Sequence, residues 1–502
     1  MSRARSLLVS VAVGLGLASI AQPSPARIAR PNPAATAPVV AVRGPAAGRP
    51  IPPGFLGLSL EYFAIPYYAG TNPNNIDPVF VQLVRNLAGG QPPDIRIGGD
   101  TTDRTWWPVA GTPTPAGVNQ TLTPGWIETA KALALTLGAK YTLGINLEAD
   151  SATVAAAEAD HLLAGLGSGA AEALELGNEP ELYGTFTWGR SRRPGRPHDY
   201  DYAAFSRDFT KIARALPNVP LAGPAAGGPR WFADVGRFLT AHRDVRVATL
   251  HRYPLQLCYR TKDQPDYPTI SHLMSPGASR GLADSVAGAV RASHARHTPL
   301  RIDEMNTLGC GVDRAVGESF ASALWSVDAL FNMARVGVDG VNISTFPGAT
   351  WELFKFSQVD GRWRAEVEPQ YYGLELFAEA APPGSRLLSV SPTRAAPLEA
   401  WATRAPDHTI RVVLINEGST SHIIRVRPPA GTVSNTGTLE MLTAPSLTAR
   451  TGVTLGGQSF GTATTTGLLS GRPATSAVTP QQGDYAIRVP AASAAMLTVR
   501  SR

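Results

Sequence analysis

From Gly54 to about Gly348 short apolar runs alternate with stretches in which apolar residues recur every three or four positions, the rhythm of strands followed by helices. Eight runs read as strands, at 55–61, 94–98, 141–147, 173–178, 219–223, 245–251, 300–304 and 340–345. Between them Tyr202, Phe205, Phe209, Ile212 and Leu216 mark one helix face that Pro217 ends, and Phe320, Leu324, Val327 and Phe331 mark another. Such stripes are expected to be helix faces packed on a sheet, with no need of a cofactor. Eight βα units predict an α/β fold, a (β/α)8 TIM barrel over 53–381, whose site lies at the carboxyl ends of the strands.

Beyond about Pro382 the helical rhythm stops and Thr, Val, Gly, Ser and Pro alternate with apolar residues. Runs such as 409–416 and 495–499 read as strands, and 382–502 is expected to form a β-sandwich. The strand-like stretch 39–52 is expected to join it. The sandwich presents no aromatic platform for a glycan, which favours a stabilising part over a binding one. The chain of 502 residues is too long for one ordinary core and suits two domains. At its start, Arg3 and Arg5 precede an apolar run from Leu7 to Ile20, the pattern of a secretory signal over 1–21. The Pro-, Ala- and Arg-rich 22–38 reads as a disordered leader. No other run reaches the roughly 18 apolar residues of a membrane span, so the mature form is expected to be secreted and to have no membrane span.

The formal charge is +6, two units of which belong to Arg3 and Arg5, and there is no block of Lys or Arg. Nucleic acid is therefore not an expected partner. The only cysteines, Cys258 and Cys310, follow neighbouring predicted strands, and an even count in an exported chain permits a disulfide between those loops. The nine histidines are scattered with no HExxH pattern, so no metal is expected.

The candidate chemistry lies in two carboxyls, Glu179 at the end of the fourth predicted strand and Glu304 at the end of the seventh. In a barrel, opposed strand ends point toward one cleft. A retaining glycoside hydrolase needs a carboxylic acid to protonate the leaving oxygen and, about 5 Å away, a carboxylate to attack the anomeric carbon. Glu179 is expected to be the acid/base and Glu304 the nucleophile, with Asn178 a donor to a sugar hydroxyl. The nucleophile must be kept ionised by a neighbour. Arg301, three residues earlier on the same predicted strand, is either that cation or a lumen arginine paired elsewhere.

Several short segments together, Arg96-Ile97-Gly98-Gly99-Asp100-Thr101-Thr102-Asp103, Gly177-Asn178-Glu179-Pro180-Glu181, His251-Arg252-Tyr253-Pro254, Glu304-Met305-Asn306 and 369–377, resemble glycoside hydrolase family 79, the family of bacterial β-glucuronidases and heparanase. The resemblance runs from about Gly54 to the C-terminus. It implies a retaining mechanism on a (β/α)8 barrel with a C-terminal β-sandwich, no cofactor, and a carbohydrate substrate with a glucuronic acid unit before the cleaved bond. By position it implies that Glu61 and Asp100 hold sugar hydroxyls and that Tyr253 donates to the nucleophile. His251 either lines the cleft or is a satisfied core histidine. Trp351 either stacks on the sugar or stands near the substrate carboxylate, and Trp106 and Trp107 are candidates for the cleft wall.

One segment departs from the family. Where its glucuronidases carry a Tyr-Gly turn after the nucleophile, this chain has Leu308-Gly309-Cys310-Gly311. The amides of Gly309 to Gly311 are expected to offer an anion-binding nest in place of the missing phenol. A neutral sugar on the same barrel is the second enzymatic reading, and a non-catalytic glycan-binding barrel the third. Four arginines at 190, 192, 193 and 196 follow the acid/base and are either a steering surface for a polyanion or a solvated loop.

Overall fold

A computed structural model describes residues 37–500 apart from 46–47, 168, 259, 392–393, 396–397, 430–431 and 433–435. The expected signal and most of the leader lie outside the described residues. Eight parallel strands close into a barrel: β1 (Leu56–Glu61), β2 (Asp94–Gly98), β3 (Lys140–Ile145), β4 (Ala171–Leu176), β5 (Leu221–Ala226), β6 (Val245–Arg252), β7 (Leu300–Met305) and β8 (Gly340–Thr345). Closure is made by β8, which pairs in parallel with both β7 and β1.

The helices start and stop where local chemistry dictates. Thr123 caps Pro124–Leu137 by accepting from the Trp126 amide, and Gly138 ends it in the left-handed region, where glycine carries no steric penalty. Asp201 caps Tyr202–Ala213, whose buried face is Tyr202, Phe205, Phe209 and Ile212. Leu216 lies past the helix end. Helix Phe320–Val336 is buried on every side over most of its length, because the barrel lies against one face and the second domain against another.

That second domain is a continuous set of antiparallel and parallel pairings. It runs from Thr454–Leu455 through Gly437–Thr443, Ser493–Arg500, Thr409–Asn416, Leu398–Arg404, Arg386–Ser391, Val39–Pro45 and His422–Arg427 to Tyr485–Val489. The strand Val39–Pro45 pairs in parallel with His422–Arg427 and antiparallel with Arg386–Ser391, so the chain enters the sandwich before it enters the barrel. The sandwich has its own core, including Val40, Leu398, Val412, Ile424, Tyr485 and Leu497. Its outer residues Val413, Ile415 and Met496 join the barrel's core. Trp401 fixes the contact: its ring stacks on Phe331 at 5.4 Å and its indole N–H donates to Asp328 at 2.7 Å.

A break in register on β7 decides how the site is built. Ile302 pairs with Leu250 and Val341, but Glu304 pairs with His251 and Met305 with Ile343. This bulge interrupts the alternation of faces. Asp303 and Glu304, neighbours that a regular strand would send to opposite faces, both meet the lumen arginine Arg96.

Candidate active site

Glu304 sits at the carboxyl end of β7 with its side chain 13% exposed. Its Oε1 accepts from the Tyr253 hydroxyl at 2.8 Å and its Oε2 from Arg96 at 2.7 Å, and His251 Nδ1 stands 3.9 Å away. Burial works against its charge, but His251, Arg96 and the Tyr253 bond together hold the carboxyl below its ordinary value. It is therefore an anion at neutral pH, as attack on carbon requires.

Glu179 follows β4 in the left-handed region with φ of 46°, a conformation that is costly for a side chain with a Cβ. Three contacts hold it there. Its amide donates to Ala225 O at 2.9 Å, the preceding Asn178 amide donates to Asp103 Oδ2 at 2.9 Å, and His251 Nδ1 meets its Oε1 at 3.1 Å. Gly227 is required beside it, since any Cβ there would press on the Glu179 carboxyl. Oxygens of Glu179 and Glu304 and a ring nitrogen of His251 lie within 4.8 Å of one another. Two carboxyls from opposed strand ends thus flank one gap, at the separation that double displacement needs. A cation could be ligated by the same three side chains, but Arg96 already compensates Glu304 and His251 is itself positively charged.

The charge on His251 follows from its surroundings. Burial opposes it and Arg96 repels it, yet Glu304, the bond to Glu179 and Asp303 prevail and push the imidazole up to about 9. The structure places His251 as a buried bridge between the two carboxyls.

Beneath the gap lies a layer that the sequence reading did not single out. Arg96 is fully buried and donates to Glu175 at 2.7 Å, Asn178 Oδ1 at 2.8 Å and Ser59 at 3.2 Å as well as to Glu304, and it lies 3.2 Å from Asp303. Asp303 is driven well above the carboxylate range by burial and by Glu175, against Arg96 and His251. Glu175 is held low, because Arg96, Asp303 and His251 overcome its burial. Asp303 therefore keeps its proton and shares it with Glu175. With Oδ1 committed to Arg96, the Asn178 amide group has its N–H bonds left to offer a ligand. Asp103 ties the two neighbouring strand ends together, accepting from the amides of Leu147, Glu148 and Asn178 and from the Tyr183 hydroxyl.

The remaining expected residues fall into place unevenly. Both Glu61 oxygens are taken by the turn that follows β2, from the amides of Asp100 and Thr101 and the Thr101 hydroxyl. Burial and Asp100 push Glu61 up to about 8. Glu61 thus anchors the turn, and Asp100 stands exposed at its tip, 3.0 Å from Arg104. Trp351 is buried against Tyr253 and Phe346, with ring centroids 5.9 Å away in each case, and its indole N–H has no acceptor among the described residues.

Three expectations need correction and one open alternative is decided. Trp107 stacks on His161 at 4.0 Å and Trp106 packs with Val118 and Val154, so neither is placed by its contacts on the cleft wall: both are drawn onto the helix that follows β3. Of its two readings, Arg301 is the lumen arginine paired elsewhere and not the cation beside Glu304. It binds Asp94 and Asn342 near the other end of the barrel, and Gly340 makes room for its guanidinium. The Gly309 amide donates to Leu255 O at 2.9 Å and is not open to an anion; Gly311 packs on Leu257 in the left-handed region. Arg196 in the loop after Glu179 is structural, bonded to Asp208 and to the carbonyls of Leu147 and Glu148. Cys258 and Cys310 form a disulfide that joins the loops after β6 and β7 beside Tyr253 and Glu304.

A parallel barrel whose catalytic end holds paired carboxyls, one of them ionised against arginine and tyrosine, defines a glycoside hydrolase. A sequence model of the glycosyl hydrolase family 79 C-terminal beta domain matches residues 400–496. The chain is 24% identical over 437 residues to a beta-glucuronidase of Neurospora crassa, covering 75% of this chain and 74% of that protein. It is 25% identical over 434 residues to a beta-glucuronidase of Aspergillus niger, covering 76% of each. Together these matches support glycoside hydrolase family 79. Two solved structures share the fold. A 4-O-alpha-L-rhamnosyl-beta-D-glucuronidase from Fusarium oxysporum has a TM-score of 0.70 at 21% identity, covering 91% of this chain and all of that one. A family 51 arabinofuranosidase from Xanthomonas axonopodis pv. citri has a TM-score of 0.64 at 14% identity, covering 92% and 100%.

Proposed function

We propose that this chain is a retaining β-glucuronidase that hydrolyses glucuronides or uronic-acid-containing glycans. The observation that carries the mechanism is the single gap shared by Glu179 and Glu304, with oxygens within 4.8 Å of each other. The Glu304 carboxylate attacks the anomeric carbon as the bond to the leaving oxygen breaks, and Glu179 gives that oxygen its proton. Water then gives a proton to Glu179 while its oxygen takes the anomeric carbon from Glu304, which restores both groups. Arg96 and Tyr253 hold the attacking carboxylate ionised and oriented, and Asn178 offers its amide to a ring hydroxyl.

The glucuronate assignment draws support from the two fungal relatives, both described as beta-glucuronidases. On the wall formed by Tyr253 and Trp351 the indole N–H lacks an acceptor, and a substrate carboxylate reaching it would supply one. Against this stands the Gly309 amide, already committed to Leu255 O, which favours a neutral sugar as the second reading. A panel of chromogenic glycosides separates the two, because a site built for a carboxylate rejects the analogue with a hydroxymethyl. With a chromogenic β-glucuronide, Glu304→Gln and Glu179→Gln are each expected to lower kcat by about 10^4-fold or more. Wild-type turnover in either variant would remove that residue from the mechanism. The disulfide fits an oxidising compartment, and with no described helix long and apolar enough to cross a membrane we assign the enzyme to the cell exterior.

A further inference from the structure

We propose that Arg252 is the anion-binding residue of a subsite on the leaving-group side of the gap, so that the preferred substrate carries a carboxylate or sulfate on the residue that is released. The inference rests on the glycosidase reading above and extends it to the aglycone.

Arg252 ends β6, directly after His251. Where His251 turns into the lumen, Arg252 turns the other way and lies over the Phe232 ring, its guanidinium carbon 5.6 Å from the ring centroid. Phe232 ends the short helix Pro229–Phe232. That helix follows Gly227, which lies against the Glu179 carboxyl, and Gly228, whose amide together with that of Gly227 donates to Glu181. Arg252 therefore stands on the flank of Glu179. In a retaining mechanism the group that receives the acid's proton departs on this flank.

Three arginines of the barrel that are buried or half-buried meet carboxylates: Arg96 meets Glu175 and Glu304, Arg301 meets Asp94, and Arg196 meets Asp208. Arg252 has no such partner among the described residues. Its Nε is sealed from solvent with no acceptor, while the residue as a whole stays partly open, which leaves its terminal nitrogens free to form a fork. Burial alone acts on its charge, lowering it to about 10 with no anion opposing, so it remains a cation at neutral pH. Glu181, the carboxyl on the same flank, has turned to Gly227 and Gly228. An arginine held over an aromatic ring, desolvated along its stem and lacking a counter-ion is a preorganised receptor for a planar or tetrahedral oxyanion.

The test compares kcat/KM on a nitrophenyl β-glucuronide and on three β-glucuronyl disaccharides whose reducing residue is neutral, carboxylated or sulfated. Wild type is expected to favour one or both charged disaccharides over the neutral one by about tenfold, the order of one charge-assisted bond. Which charged arm gains tells carboxylate from sulfate. Arg252→Gln is expected to remove that preference through KM, losing about tenfold more on the favoured disaccharide than on the nitrophenyl glucuronide. No preference in wild type, or an equal loss on every substrate, overturns the proposal. Should the variant fail to fold, wild type in rising NaCl decides: the preference must decay as the ion pair is screened, and a salt-independent ratio overturns it. If wild type cleaves no β-glucuronide, the sugar assignment falls instead, and the same aglycone series is read on the glycoside that it does cleave.

Discussion

Where the barrel strands begin, Arg301 lies in the lumen between Asp94 at 3.2 Å and the Asn342 side-chain oxygen at 2.9 Å, and donates to Gly54 O at 3.0 Å. Where they end, Arg96 lies among Glu175, Asp303, Glu304, Asn178 and Ser59. The first is balanced locally: Arg301 pairs with Asp94, Glu172 acts on the pair from beside it and is itself offset by Lys140, and neutral oxygens take the remaining donors. The second gathers more acids than cations around one gap. The excess is resolved by protons, one kept on Asp303 and one on His251. Charge compensated within a pair can only stabilise. Charge compensated by movable protons, next to an ionised nucleophile, can do chemistry.

The largest expected effect comes from breaking the compensated end at its centre. Arg96→Lys keeps the positive charge but cannot reproduce the fork that reaches Glu175, Glu304 and Asn178 together. It is expected to lower kcat/KM by about 10^2- to 10^3-fold, the size seen on losing one preorganised donor. Arg96 also helps to hold Glu304 low, so the acid limb of the pH profile should move to higher pH in the variant. An unchanged acid limb would reduce Arg96 to a packing role.

A smaller effect is expected at the bridge. His251→Gln retains a donor toward Glu179 but no charge, and kcat/KM should fall by about 10^2-fold through misplacement of the acid. The linkage has a definite sign. The imidazole is raised in the folded state from 6.5 to about 9, so its contribution to stability is full below pH 6.5 and is lost as pH rises through about 9. The gap in Tm between wild type and variant should therefore be widest near pH 6 and close by about pH 10. A gap independent of pH would show that His251 is neutral.

The same contrast explains what could be read from residues alone. The eight strands and the sandwich were legible because apolar periodicity is set locally, strand by strand. Glu179 and Glu304 were legible because a carboxyl at a strand end has few structural uses. Arg96 and Glu175 carried a signal that went unread: each is a charged residue between two buried apolar neighbours, Ile95 and Ile97 or Leu174 and Leu176, and so occupies an inward position of a strand. Asp303 carried a signal too, lying two residues beyond the lumen arginine Arg301; regular alternation would have sent Glu304 outward, and the bulge on β7 brings both inside. Of the two readings of Arg301, the one as the cation falls on depth and the one as a lumen arginine paired elsewhere stands. Three residues of rise separate it from Glu304 along the strand, about 10 Å, and its donors are satisfied at the far end before its side chain could climb. The Gly309 nest failed because the amide of a loop residue is spoken for by whichever strand end lies beside it, here Leu255, and that neighbour is not visible in the sequence.

The smallest expected effect on turnover is at the locally balanced end, and it tests the comparison most directly. Arg301→Gln leaves Asp94 buried without its cation, a change expected to destabilise the fold by about 3 kcal/mol. The glutamine can still donate to Asn342 or Gly54 O, which keeps the lumen from opening. Because Arg301 shares no partner with Arg96, Glu304 or His251, the two ends should behave additively. The prediction is a lower Tm with kcat within about twofold of wild type and the same pH profile, and Arg96→Lys combined with Arg301→Gln should show the sum of the two losses in stability. A shifted pH profile in the single variant, or a double variant far from additive, would mean that the two arginines belong to one electrostatic network along the barrel axis, and the division of labour between its ends would have to be given up.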